Sequence, residues 1–495
     1  MTSILGLDIG TSSVKAILLD ECQKVVAEAS QSLQISRPKS LWSEQNPEEW
    51  WNATLKAVAE IRRSNAREFS ALKAIGLSGQ MHGAVLLDKT GSVLRPAILW
   101  NDGRSGEEGR ELQARVPDFL KRASNLPMAG FTGTKLLWVK KHEPEIFSQI
   151  DKIILPKDYI RYRLSGALVM DMSDAGGTLW HDIAKRDWDD ILIEATGLTR
   201  AHMPQLVEGS AVSAALSSTL KKEWGISQNV VIAGGAGDNA ASAIGVGAIN
   251  PGQGVLSVGT SGVLFTVTDK LTAKPERGLH AMCHALPNRW HVMAVTLTAA
   301  SGLSWIADMM GRSESIKALV DDVERYASHA EQRKYAPIFI PYLTGERTPH
   351  NDPEASAIFC DLRAGHTQAA LAYAVMEGVA FCFVDNLDVM NDAGATLNEC
   401  ILVGGGVRSA FWAQMFADCL GVPLDLPDGA ELGAALGAAR LGMIAAGQGS
   451  IEAICSKPKI ARRFIPRPEI KEMLEPRLKK FREIYKAERN LKKIS

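Results

Sequence analysis

One short pattern, present twice, constrains this chain more than any other feature. GLDIGTSS at residues 6–13 and LSVGTSGVLF at 256–265 both deliver an apolar run into Gly-Thr-Ser. A strand that ends in such a turn presents backbone N–H groups and hydroxyls, the donors a phosphate needs. Each copy opens one half of the 495 residues, which implies a duplication with one phosphate clamp per half. Taken singly, either stretch also describes an ordinary hairpin.

Around the first copy, ILGLDIG, VKAILLD and KVVAEASQSL are separated by GTSS and ECQ, a hairpin meander that opens a sheet. Further on, LKAIGLSG is a strand, VVIAGGAGDN leads into AASAIGVGA, and CILVGGGVRS leads into FWAQMFADCL. Strands alternating with helices predict the α/β class. A chain of 495 residues exceeds what one core usually holds, so two or three domains are expected. The glycine-rich GVGAINPGQG at 245–254 marks the division, giving units 1–244 and 245–495. The tail, 468–495, has helical periodicity and mixed charge and reads as a solvated helix, not a binding arm.

With 55 basic against 56 acidic side chains, no overall field favours nucleic acid or an anionic membrane, so a small-molecule partner is expected. The start lacks a basic segment, Asp8 breaks its apolar run, and no stretch of about 18 apolar residues occurs, which predicts a cytoplasmic protein. Seven scattered cysteines without C-x-x-C spacing predict buried, reduced thiols.

No G-x-x-x-x-G-K-[ST] is present, so phosphoryl chemistry would need other donors. Asp8 followed by Gly10, Thr11 and Ser12 supplies a carboxylate at a strand end and a phosphate turn; Gly259, Thr260 and Ser261 supply a second turn. Asp238, after Gly234-Gly235-Ala236-Gly237 and before a helix, is either an N-cap or a functional carboxylate that a ligand can approach. Gly404, Gly405, Gly406 and Ser409 join a strand to a helix, as a tight connection or as a nucleotide contact. A dinucleotide fingerprint at 235–240 lacks the acidic residue due about 20 positions later. His280, Cys283 and His284 have helical spacing for a metal, but their surroundings read as strands.

Together these features resemble the FGGY carbohydrate kinases of the actin/hexokinase/heat-shock ATPase superfamily, over roughly the whole chain. The resemblance is carried by LDIGTSSVK (7–15), LWSEQNPEEWW (41–51), SGQMHGAVLLD (78–88), RPAILWNDGR (95–104), the first family signature across 130–139, LPKDYIRYRLSG (155–166), GAGDNAASAIGVG (235–247) and PYLTGERTPHNDP (341–353). Gln80-Met81-His82-Gly83 discriminates best, and points to members acting on D-xylulose. Asp361 stands where the second signature usually has glycine, and Ala370 where it has a polar residue.

The resemblance implies an α/β fold of two RNase H-like domains with a central cleft, and ATP-dependent phosphorylation of D-xylulose to D-xylulose 5-phosphate. It implies Asp238 as general base and Asp8 as the residue holding Mg²⁺ through water. Gly10, Thr11, Ser12, Gly259, Thr260 and Ser261 would bind the phosphates; Gly404, Gly405, Gly406 and Ser409 would line the adenosine pocket. Gln80, Met81, His82, Trp100 and Asn239 would contact the sugar. The two aspartates are expected to meet across the cleft from separate lobes, with 343–352 on its border and Glu346 and Arg347 either an ion pair or part of the rim. ATP, Mg²⁺ and a sugar are the expected partners, and a homodimer is left open. The alternatives are a kinase for another ketopentose or a polyol, or a non-catalytic sensor of the same fold.

Overall fold

The computed structural model describes residues 2–428 and 433–492. Positions 493–495 of the expected tail helix lie outside the described residues.

The first sheet contains β1 (Ser3–Ile9), β2 (Ser13–Asp20), β3 (Val25–Ser32), β4 (Leu72–Gly79), β5 (Val212–Ala215), β6 (Val231–Ala233) and the short β7 (Ala236–Gly237). Their order is β5-β6-β4-β1-β2-β3, with β7 paired to β4. The second contains β8 (Gln253–Val258), β9 (Gly262–Thr268), β10 (His280–Cys283), β11 (Trp290–Thr296), β12 (Glu399–Val403), β13 (Leu424–Pro427) and β14 (Ile460–Phe464), ordered β10-β11-β9-β8-β12-β13-β14. The duplication read from the turns extends to the sheets. In each, the strand before the glycine turn pairs antiparallel with the strand after it, and parallel with a later one: β1 with β2 and β4, β8 with β9 and β12. Both opening strands are largely buried because both faces are covered, as parallel pairing requires.

The helices that matter for the site are α1 (Asp238–Gly245), α2 (Gln368–Asp392), α3 (Ala410–Leu420), α4 (Gly433–Ala445) and α5 (Pro468–Lys492). Although α4 comes late in the chain, it lies on the first sheet, against β1 and β4, and packs along α1. Its small residues explain the fit. A side chain at Gly76 of β4 would collide with the Ala438 backbone, and one at Gly437 with the Ala241 carbonyl. Arg440 of α4 closes the end of α1 by donating to the carbonyls of Ile244 (3.0 Å) and Gly245 (3.1 Å).

The central helix α2 is long and apolar enough to cross a membrane, yet 89% of its apolar window is buried inside the protein. The tail helix corrects the expectation of a solvated element. Leu474, Arg477 and Phe481, at helical spacing, are buried against the second half. Arg477 Nε meets both Glu377 oxygens at 2.9 and 3.0 Å, and its Nη atoms donate to the carbonyls of Ala336 and Pro337. Such a pair fixes where the tail docks, and losing one member leaves a buried charge. Of the cysteines, Cys22 is exposed and Cys360 half-buried, so not all are core thiols; every one is free.

At both departures from the second signature the local structure accommodates the change. Asp361 takes the left-handed φ of 64° that glycine would adopt without cost, and its carboxylate pairs with Lys480. Ala370 is buried in the first turn of α2, where its N–H is capped by the Thr367 hydroxyl at 3.3 Å.

Candidate active site

Strand register assembles the carboxylates. Asp8 stands opposite Ser78, and Gly237 opposite Gly79, so β1, β4 and β7 end side by side. Asp238 follows directly as the first residue of α1. The N-cap is Gly237, so Asp238 is not the cap. Both aspartates therefore sit at the same edge of the first sheet, Asp8 within β1 and Asp238 just after β7, which corrects the expectation that they come from separate lobes.

Asp238 Oδ1 accepts from Asn239 N (2.7 Å) and Asn239 Nδ2 (2.8 Å). Burial, reinforced by the Asp8 charge, pushes the Asp238 carboxyl up to about 7. Asp8 is also raised by burial, with the Ser78 hydroxyl and Lys15 opposing. Its Oδ1 is buried and has no hydrogen-bond partner among the described residues. A carboxylate oxygen enclosed without a donor, beside a phosphate-type turn, fits a hydrated divalent cation.

The first turn is closed by Gly10 N donating to Ser13 O at 3.0 Å. Thr11 Oγ1 donates to Gln80 Oε1 (3.0 Å) and accepts from Trp100 Nε1 (3.0 Å). Gln45 Nε2 donates to the Thr11 carbonyl at 2.7 Å, and Gln80 Nε2 to Gln45 Oε1 at 3.0 Å. Gln80 and Trp100 are thus brought to the phosphate turn itself, while Ser12 stays exposed.

Met81 is buried against Gly237. His82 holds a left-handed φ of 67°. Its carbonyl accepts from Lys135 Nζ (2.7 Å) and Thr132 Oγ1 (3.1 Å). Its Nδ1 lies 2.8 Å from the Gly177 carbonyl; a carbonyl can only accept, so Nδ1 carries the hydrogen and Nε2 is left with a lone pair. Burial holds the ring neutral, near about 3.

In the second half Gly259 N donates to Ser261 O at 3.1 Å, and Ala300 N to the Gly259 carbonyl at 2.8 Å. The Thr260 carbonyl accepts from Ala299 N (3.0 Å) and Ser301 Oγ (2.7 Å). The side chains of Thr260 and Ser261 are exposed. Parallel pairing of Ser257 with Val403 brings the loop of Gly404, Gly405 and Gly406 beside this turn, and Gly404 reaches it with a φ of 97°. The Ser409 hydroxyl caps α3 by accepting from Trp412 N at 3.1 Å, which engages it locally.

A cleft of about 580 Å³ separates the halves, with Trp100, Asn101 and Gly130 on one wall and Leu297, Glu346 and Arg347 on the other. The 343–352 loop borders it as expected. Among the described residues no ion pair joins Glu346 to Arg347. The Glu346 carboxylate instead takes the Thr296 hydroxyl and the amides of Leu297 (2.9 Å) and Arg347 (2.7 Å), and burial raises it to about 7. His280 and Cys283 lie on strand β10, and among the described residues no group of three His, Cys, Asp or Glu could hold a metal alone.

Sequence reasoning missed the layer behind the aspartates. Ser173 Oγ accepts from Gly237 N at 3.2 Å, and Arg161 donates to the Gly234 carbonyl. The available signal was VMDMSDAGG, two aspartates in an otherwise apolar and small stretch.

The family model for the N-terminal domain of FGGY carbohydrate kinases matches residues 3–245, and that for the C-terminal domain residues 254–446. Xylulose kinase of Escherichia coli (strain K12) is 47% identical over 483 residues, 97% of this chain and 98% of that protein. The crystal structure of a xyloylose kinase from Brucella ovis superposes with a TM-score of 0.95 at 45% identity, covering 99% of this chain and 100% of that one. The xylulose kinase of Rhodospirillum rubrum superposes with a TM-score of 0.91 at 29% identity, covering 99% of each.

Proposed function

The chain belongs to the FGGY family of carbohydrate kinases, and from that premise we propose that it transfers the γ-phosphoryl group of ATP to the terminal hydroxyl of D-xylulose. The product is D-xylulose 5-phosphate. The observation that carries the site assignment is the pair of aspartates at the ends of the strands flanking β4, one raised to about 7 and the other with an unpartnered oxygen.

Asp238, in its ionised form, accepts the proton of the sugar hydroxyl as the oxygen bonds to phosphorus and the bond to the β-phosphate oxygen breaks. Asn239 holds one carboxylate oxygen, which orients the other toward the acceptor. A general base of this kind contributes about 10²- to 10⁴-fold, so positioning and charge stabilisation supply the rest. His82 Nε2 accepts a hydrogen bond from a sugar hydroxyl, with Met81 and Trp100 as apolar walls. The amides and hydroxyls of the two turns hold the triphosphate, and Gly404, Gly405 and Gly406 lie under the adenosine. Asp8 would hold a water-bound Mg²⁺, which when present neutralises charge on the phosphates. Closure of the cleft would exclude water from the γ-phosphate. The place of action is the cytoplasm, with ATP and a sugar as the partners.

ADP release by the purified protein, measured across D-xylulose, other ketopentoses, xylitol and glycerol, tests this. D-xylulose is expected to give the highest kcat/KM. A higher value on another ketose or a polyol reassigns the substrate, and sugar-independent release, or none with any sugar, removes the kinase reading.

A further inference from the structure

An ionic cluster sealed from solvent lies directly behind the turn that carries Asp238. Lys157 Nζ is 2.8 Å from Asp158, 2.7 Å from Asp171 and 2.8 Å from Asp174, and all four side chains are fully buried. Arg161 pairs with Asp158 at 2.7 Å. Two cations thus face three carboxylates, and burial, with the neighbouring Asp171 and Asp158 charges, raises the Asp174 carboxyl despite the opposing pull of Lys157. Ions buried this deeply stabilise a fold little better than apolar residues of the same size. What the cluster holds in place is therefore the informative question.

Arg161 donates to the Val169 carbonyl at 2.5 Å, and the other outward contacts reach the turn that carries Asp238. Ser173 Oγ donates to Asp171 Oδ2 at 2.5 Å and accepts from Gly237 N at 3.2 Å, one residue before Asp238. Arg161 takes the Gly234 carbonyl at the other end of the same turn. Four residues beyond Ser173, the Gly177 carbonyl accepts from His82 Nδ1 at 2.8 Å. One segment, residues 171–178, therefore touches both the Asp238 turn and the His82 ring.

We propose that residues 171–178, pinned by Lys157 and Arg161, form a positioning platform that sets the Asp238 carboxylate against the His82 ring, with Ser173 as its positioning residue. This rests on the reading of Asp238 as the base. Without the Ser173 hydroxyl, the Gly237 amide loses its acceptor and the turn is free to shift, and a displacement of about 1 Å at a reacting group can cost on the order of 10²-fold.

Steady-state kinetics with D-xylulose and ATP on Ser173→Ala, Ser173→Cys and Asp238→Asn test the proposal. Ser173→Ala is expected to lower kcat by roughly 10- to 100-fold, with KM for ATP within about twofold of the parent. Ser173→Cys, which keeps the volume but weakens both hydrogen bonds, gives the same split to a smaller extent, and serves if the alanine variant does not fold. Parental kcat in a folded Ser173 variant overturns the proposal. So does a rise in both KM values at constant kcat. Near-normal turnover in Asp238→Asn removes the base reading and the proposal with it, whereas a slow Asp238→Asn beside normal Ser173 variants removes the proposal alone.

Discussion

The two glycine turns occupy equivalent places in equivalent sheets, yet their surroundings differ. In the first, Asp8 precedes the turn by one residue; the equivalent position in the second is Ser257. The first turn is wired by side chains, with Thr11 joined to Gln80, Gln45 and Trp100. The second is held mainly through its backbone, its carbonyls tied to the amides of Ala299 and Ala300 and to the Ser301 hydroxyl, leaving Thr260 and Ser261 exposed. A duplicated scaffold has thus been specialised. One copy combines acid groups with a side-chain hydrogen-bond network, and the other offers amides and exposed hydroxyls. A phosphate clamp needs only the latter, so under the proposed mechanism the carboxylates mark the half in which the acceptor is activated.

The sharpest break of that contrast is Asp238→Asn. The isostere keeps the fold, so the unfolding midpoint is expected to stay put while kcat drops by about 10²- to 10⁴-fold. The parent should also show an acid limb in kcat/KM near about 7, because the carboxylate must be ionised to accept a proton and is protonated below that value. Retained turnover in the variant would leave the first half without its distinguishing chemistry.

Asp8→Ser converts the first turn to the pattern of the second. A kcat loss on the order of 10²-fold is expected, with a higher Mg²⁺ requirement in a metal titration and unchanged D-xylulose affinity. Removing the like charge also relieves Asp238, whose pKa should fall toward the ordinary carboxylate range. Parental activity at limiting Mg²⁺ would make the two turns interchangeable.

The elements of this contrast were legible in the sequence because they are local. The meander over 3–32, the strands at 72–79 and 399–403, and the helices after 237 and 409 follow from apolar runs broken by glycine. What spacing does not encode is sheet order. A boundary at 245 already puts Asp8 and Asp238 in one unit, but nothing near Asp238 announces that Ala236–Gly237 pairs with β4 and brings the two to one sheet edge. Likewise, the docking of α4 on the other half's sheet depends on Gly6 and Gly76, more than 350 residues away. The tail was misread because its charges outnumber its apolar stripe, although Leu474, Arg477 and Phe481 line one face. His82 stands out in the sequence through its Gln80-Met81-His82-Gly83 motif. Its tautomer depends on Gly177, a contact across 95 residues that no local pattern reveals.

The finest test of the contrast compares two threonines with the same place in the two turns. Thr11 bonds to Gln80 and Trp100, so Thr11→Ala disturbs the phosphate turn and the sugar wall together. Thr260 has an exposed side chain and no such network, so Thr260→Ala removes at most a phosphate contact. One hydrogen bond is worth about 0.5–1.5 kcal/mol, or roughly 2- to 10-fold in affinity. Thr11→Ala should therefore raise KM for ATP and for D-xylulose by a few-fold each, and Thr260→Ala only that for ATP. Matching effects of the two variants on both substrates would mean that the side-chain wiring of the first turn does not reach the sugar, and that its specialisation lies in the carboxylates alone.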